Sequence, residues 1–69
     1  MNFDNVGQAI LKAFDELNQD EQSSEIIDLI DGGENDAEIK KGLNQAIVRL
    51  RELGKEDAAK DIEEKIKGW

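Results

Sequence analysis

Four acidic side chains, Glu21, Glu25, Asp28 and Asp31, follow one another at steps of four, three and three residues. On a helix that spacing gathers them into one band, with neighbours about 5–6 Å apart and a repulsion of a few tenths of a kcal/mol per pair. Such a band can attract a cationic surface, hold a metal or move protons. Proton chemistry needs two carboxylates whose pKa values a cleft drives apart, and a chain of 69 residues rarely encloses one. Nucleophilic catalysis needs a serine or cysteine beside a base; the chain has no histidine or cysteine, and Ser23 and Ser24 are its only serines. No catalytic residue and no enzymatic activity are expected.

Metal and phosphate chemistry fail on spacing. Residues 28–38 are acidic and carry glycines, but counting a calcium loop from Asp28 or Asp31 puts Ile30 or Gly33 at the third ligand position. The twelfth position, which calls for a bidentate glutamate, falls on Ile39 or Gly42. A phosphate cradle at Gly32-Gly33 would be followed by Glu34 and Asp36, which repel the ligand. The same residues serve better as a helix end followed by the next N-cap, and neither metal nor cofactor is expected.

Charge is unevenly distributed. Residues 1–38 hold eleven acids against one base, Lys12, for −10, while residues 39–69 hold six acids and eight bases, for +2, giving the net −8. Nucleic acid and anionic lipid are bound by neutralising phosphates with Lys and Arg, so neither is an expected partner. Lys40, Asn44 and Arg51 share a helix side, but three polar residues without an aromatic platform make no nucleic-acid footprint. The expected partner is a basic surface of another protein, met by Asp15, Glu16, Glu21, Glu25, Asp28 and Asp31. Closely spaced carboxylates can imitate phosphates and block a groove that otherwise holds nucleic acid. A compact acidic binder of this kind suits an inhibitor or regulator such as a phage or mobile element deploys, a step taken by analogy.

Four helices must position these residues, at about 4–18, 22–31, 36–53 and 56–67, in an all-α compact bundle forming one domain over residues 1–69. The first has an apolar stripe of Phe3, Val6, Ile10, Phe14 and Leu17, with Asp4 as N-cap, Phe3 stapling the entry, and Gly7 admitting a close neighbour. The second carries Ile26, Ile27, Leu29 and Ile30, starts somewhere from Asp20 to Ser24, and stops at Gly32-Gly33 through left-handed geometry. The third opens on Asn35 with Glu38 three residues later, a variant capping box; it buries Ile39, Leu43, Ala46, Ile47, Leu50 and Leu53 and ends at Gly54. Gly42 borders that face as either a tight contact or a weak point.

The fourth helix offers Ala58, Ala59, Ile62 and Ile66 to the core, with Trp69 continuing the line, and the short Gly54-Lys55 turn makes helices three and four an antiparallel hairpin. Its surface carries Glu56 with Lys60, Asp61 with Lys65 and Glu63 with Lys67, acid before base at the favourable four-residue step. Leu53-Gly54 followed by Ala58-Ala59 resembles one helix-turn-helix unit of a tetratricopeptide repeat; no second copy follows at the repeat period, and the likeness is one of hairpin geometry. Leu11 and Val48 lie off the apolar stripes and offer a route to self-association as a homodimer. The chain starts Met1-Asn2-Phe3-Asp4 without a basic stretch leading into an apolar run, and no segment reaches the roughly 20 apolar residues that span a bilayer, so the expected location is cytoplasmic, with no membrane partner.

Overall fold

The apolar periodicities become four helices: α1 (Phe3–Leu17), α2 (Ser24–Asp31), α3 (Asp36–Glu52) and α4 (Glu56–Lys65). The structure, a computed structural model, describes residues 3–68, with side chains from residue 5 onward. No strand occurs among the described residues. Among the described residues no helix is long and apolar enough to cross a membrane. α1 already includes Phe3, so Asp4 lies inside the first turn rather than capping it. The expected Phe3 staple and the packing of Trp69 lie outside the described side chains.

α3 is the central element, packed against each of the other three helices, and α4 returns along it as the second arm of the hairpin. α1 covers α4 and α3, while α2 sits chiefly on α3 and touches α1 little. The core joins Ala9, Ala13 and Leu17 of α1, Ile26 and Ile30 of α2, Leu43, Ala46, Ile47 and Leu50 of α3, and Ala58, Ala59 and Ile62 of α4, with Ile66 just past its end. In α1 the deepest line therefore runs through two alanines, which bring the helix axis close to its neighbours; Ile10 and Phe14 flank that line half-buried.

The glycines depart from expectation in instructive ways. Gly54 ends α3 as expected, at φ +81, with Lys55 N donating to the Leu50 carbonyl at 2.8 Å and Gly54 N to that of Arg51 at 3.1 Å. These two bonds are the Schellman pair that satisfies otherwise open carbonyls. Leu53, as the residue capping α3, is turned out and exposed rather than buried. At the end of α2, Gly32 has φ −92, so no left-handed residue is used there. The glycine pair is needed for space: a Cβ on Gly33 would lie 2.9 Å from Ile39 Cγ1 and 3.0 Å from the Leu29 carbonyl oxygen.

Gly42 is the tight contact, buried against Ile30, whereas Gly7 has open space around the position of a Cβ and admits no close neighbour. Its missing side chain only weakens helix propensity. Of the three expected surface pairs of α4, Asp61 with Lys65 forms, at 2.7 Å; α4 ends at Lys65, short of Lys67, and among the described residues no ion pair joins Glu56 to Lys60. Glu63 is taken instead by Arg51 of α3 at 2.6 Å.

Candidate functional site

The acidic band is built on a short helix whose ends are fixed by different means. α2 is preceded by a single 3-10 turn, Glu21–Ser23, so the start of the regular helix is Ser24. Ile26 and Ile30 are buried and Ile27 and Leu29 half-buried, which turns Glu21, Glu25, Asp28 and Asp31 outward; all four are exposed. Among the described residues no ion pair reaches any of the four. The last turn of α2 has no basic residue, so Asp31 also sits unfavourably at the negative end of the helix dipole. Nothing within the helix relieves the repulsion.

The remaining acids of the expected face behave differently. Asp15 is exposed. Glu16 is neutralised from inside: Lys12 lies 3.6 Å from Oε1 and Lys55 3.4 Å from Oε2, and Lys55 Nζ also donates to the Glu16 carbonyl at 3.1 Å. Glu38 is a capping group, its Oε2 accepting from Glu34 N at 3.0 Å while Asn35 Oδ1 accepts from Glu38 N at 3.0 Å. The glutamate thus reaches one residue beyond the N-cap, which explains the acidic stretch between α2 and α3 as a helix junction. No group of three or more potential metal ligands gathers among the described residues. Leu11 and Val48 are exposed, at 68% and 57%, and Val48 lies in a shallow surface depression with Ala37, Lys41 and Gln45.

One arrangement was not readable from the sequence. Arg49 of α3 forks onto Asp20, with Nε 2.7 Å from Oδ2 and Nη2 3.2 Å from Oδ1, and the two side chains retain only 20% and 18% of their exposure. The fully buried Ser23 donates its hydroxyl to the same Oδ2. Its backbone N–H donates to the Asp20 carbonyl at 2.9 Å, and Asp20 N donates to that of Leu17 at 3.0 Å. Asp20 three residues before Ser23 was the local signal, since such pairs organise turns. The arginine lies 29 residues away and leaves no local trace.

The hydrogen bond from Arg49, followed by that from Ser23, holds the Asp20 carboxyl far below its ordinary value of 3.8. A carboxylate with a depressed folded-state pKa contributes stability that is complete above the unfolded value and is lost as pH falls toward the folded one. Thermal melts of the wild type and Asp20→Asn are therefore expected to differ clearly at pH 5 and to converge as pH drops below about 3.8 toward 2. A gap of constant size over that range would show that Asp20 carries no such linkage.

Arg49 also approaches Glu52, at 3.9 Å, and Arg51 is held by Glu63, so neither arginine folds onto the band. The chain was compared with protein-family models, with curated proteins and with solved structures, and none of them matches it.

Proposed function

We propose that this chain is a small non-enzymatic protein-binding module whose α2 face docks on a basic patch of another protein, of the sort that otherwise holds nucleic acid. The observation that carries this reading is the contrast in charge pairing. Glu16, Asp20, Glu52, Asp61 and Glu63 each have a cation within 4 Å, whereas Glu21, Glu25, Asp28 and Asp31 stand exposed with none among the described residues. Glu56, Asp57 and Glu64 of α4 also lack an ion pair there, but their helix carries Lys60 and Lys65, while α2 carries no base at all. The band runs for roughly 16 Å, from the rises of a 3-10 turn and an α-helix, or about one charge per 5 Å. A nucleic-acid strand carries one per about 3.4 Å of axis, close enough for the same cationic groove to accept either. An inhibitor or regulator acting by occupation of that groove is the role this supports, and the proposed setting is the reducing cytoplasm, where a cysteine-free chain folds unaided.

The test is neutralisation. Glu21→Gln, Glu25→Gln and Asp28→Asn together are expected to weaken binding of a helical peptide with arginines at matching four-, three- and three-residue steps by about tenfold, at roughly 0.5 kcal/mol per exposed pair. Because three like-charge repulsions disappear, the variant should melt no lower than the wild type. Unchanged affinity with intact helicity would remove the docking reading. The exposure of Leu11 and Val48 supports a second reading, self-association through those faces, which sedimentation at rising protein concentration distinguishes. The net charge of −8 opposes it, since like-charged copies repel.

A further inference from the structure

We propose that Arg49 is a positioning residue for the acidic face: through Asp20 and Ser23 it sets the direction in which the 3-10 turn and the amino-terminal end of α2 present Glu21 and Glu25. This rests on the reading of that face as a docking surface. α2 has eight residues, too few to hold a direction without tertiary anchors. Its carboxyl-terminal end is locked by shape. Ile30 lies so close to Gly42 that a Cβ there would fall 2.5 Å from Ile30 Cγ1, and Gly33 fits beneath Ile39 in the same manner.

Ile26 and Ile30 decide which side of the helix faces down. The amino-terminal approach has no such lock, because Asn18, Gln19, Glu21 and Gln22 are all exposed. What ties it to α3 is the forked contact of Arg49 with Asp20, passed on to the turn by the buried Ser23 hydroxyl. A guanidinium making two parallel bonds fixes orientation as well as distance, which a single ammonium does not.

The proposal gives a result opposite in sign to charge alone. Arg49→Gln removes a cation near the band and takes the net charge one unit beyond −8, so a partner sensing only charge would bind more tightly. A partner that must match the geometry of the band would bind less tightly, because the amino-terminal carboxylates are no longer pre-set.

The experiment uses two probes on the full chain: a side-chain-stapled helical peptide with arginines at the spacing of the band, and an unstructured oligo-lysine of equal charge. The stapled peptide is expected to lose about fivefold in affinity for Arg49→Gln, with Arg49→Lys weakened at unchanged net charge, while oligo-lysine binds both variants at least as well as the wild type. Amide exchange should quicken across residues 21–27 and stay slow in the core of α3 and α4. Wild-type affinity of both variants for the stapled peptide overturns the proposal even where the wild type binds well. Failure of the wild type to bind either probe overturns the docking reading itself. Should Arg49→Gln lose its fold, Arg49→Lys and the exchanged pair Asp20→Arg with Arg49→Asp carry the same comparison.

Discussion

Leu50→Ala is expected to lower stability by about 2–5 kcal/mol, the range for emptying a fully buried leucine site. Leu50 has no exposed surface and lies on α3, the helix that touches all the others, so the cavity would open where the core elements meet. A domain of this length has roughly 3–10 kcal/mol in total, at about 0.05–0.15 kcal/mol per residue. A loss near the middle of the expected range would lower the melting temperature by on the order of 15–30 °C. Leu53→Ala provides the internal comparison. The periodicity alone puts Leu53 on the same buried face, yet it is 39% exposed as the capping residue before Gly54. Its truncation should cost clearly less than that of Leu50, since part of its surface is already in water and no closed cavity is left. Equal costs at the two leucines, in urea or thermal unfolding, would contradict this account of how α3 ends.

Gly42→Val is expected to be the most disruptive single addition of atoms, at about 3 kcal/mol. The new Cβ would sit 2.5 Å from Ile30 Cγ1 and 3.3 Å from Ile30 N. Cγ1 is the near end of its side chain and N is backbone, so a rotamer change at the tip of Ile30 does not clear the clash; α2 itself must move off α3. The slightly better helix propensity of valine over glycine offsets only a few tenths of a kcal/mol. Removing Cγ1 by Ile30→Ala should make the double substitution cost less than the sum of the two singles, a coupling that a double-mutant cycle measures. Strict additivity would mean that the two helices do not meet at this point.

The parts of this molecule that could be read in its sequence are those whose cause is local. Asn35 and Glu38 cap α3 because both bonds close within four residues, and Gly54 ends it because a glycine at the close of an apolar run supplies the left-handed turn. The buried positions of α4 follow from a helical period. What could not be read depends on which element comes to lie opposite. Gly7 and Gly42 look alike in sequence, each on or beside an apolar stripe, yet one faces open space and the other Ile30. Asp20 stands among seven polar residues that read as a connection, and only the fold brings Arg49 to it.

The candidate site divides along the same line. The outward band of α2 was visible as a spacing, since the opposite side of that helix is isoleucine and leucine. Its exclusion of Glu16, drawn off by Lys12 and Lys55, required the fold to bring the start of α4 beside the end of α1. Electrostatic selection of the face therefore has two layers: a crowding written locally into α2, and a tertiary arrangement that commits nearby cations elsewhere.

Where a cationic probe lands on this surface is the most direct measurement of the central claim. Titrating the isotopically labelled chain with the arginine-bearing helical peptide and following backbone amide shifts should place the largest changes at residues 21–31, fading as salt is raised toward a Debye length of about 3 Å at 1 M. Largest shifts along the outer side of α4, or changes spread evenly over all four helices, would contradict the assignment of α2 as the docking face.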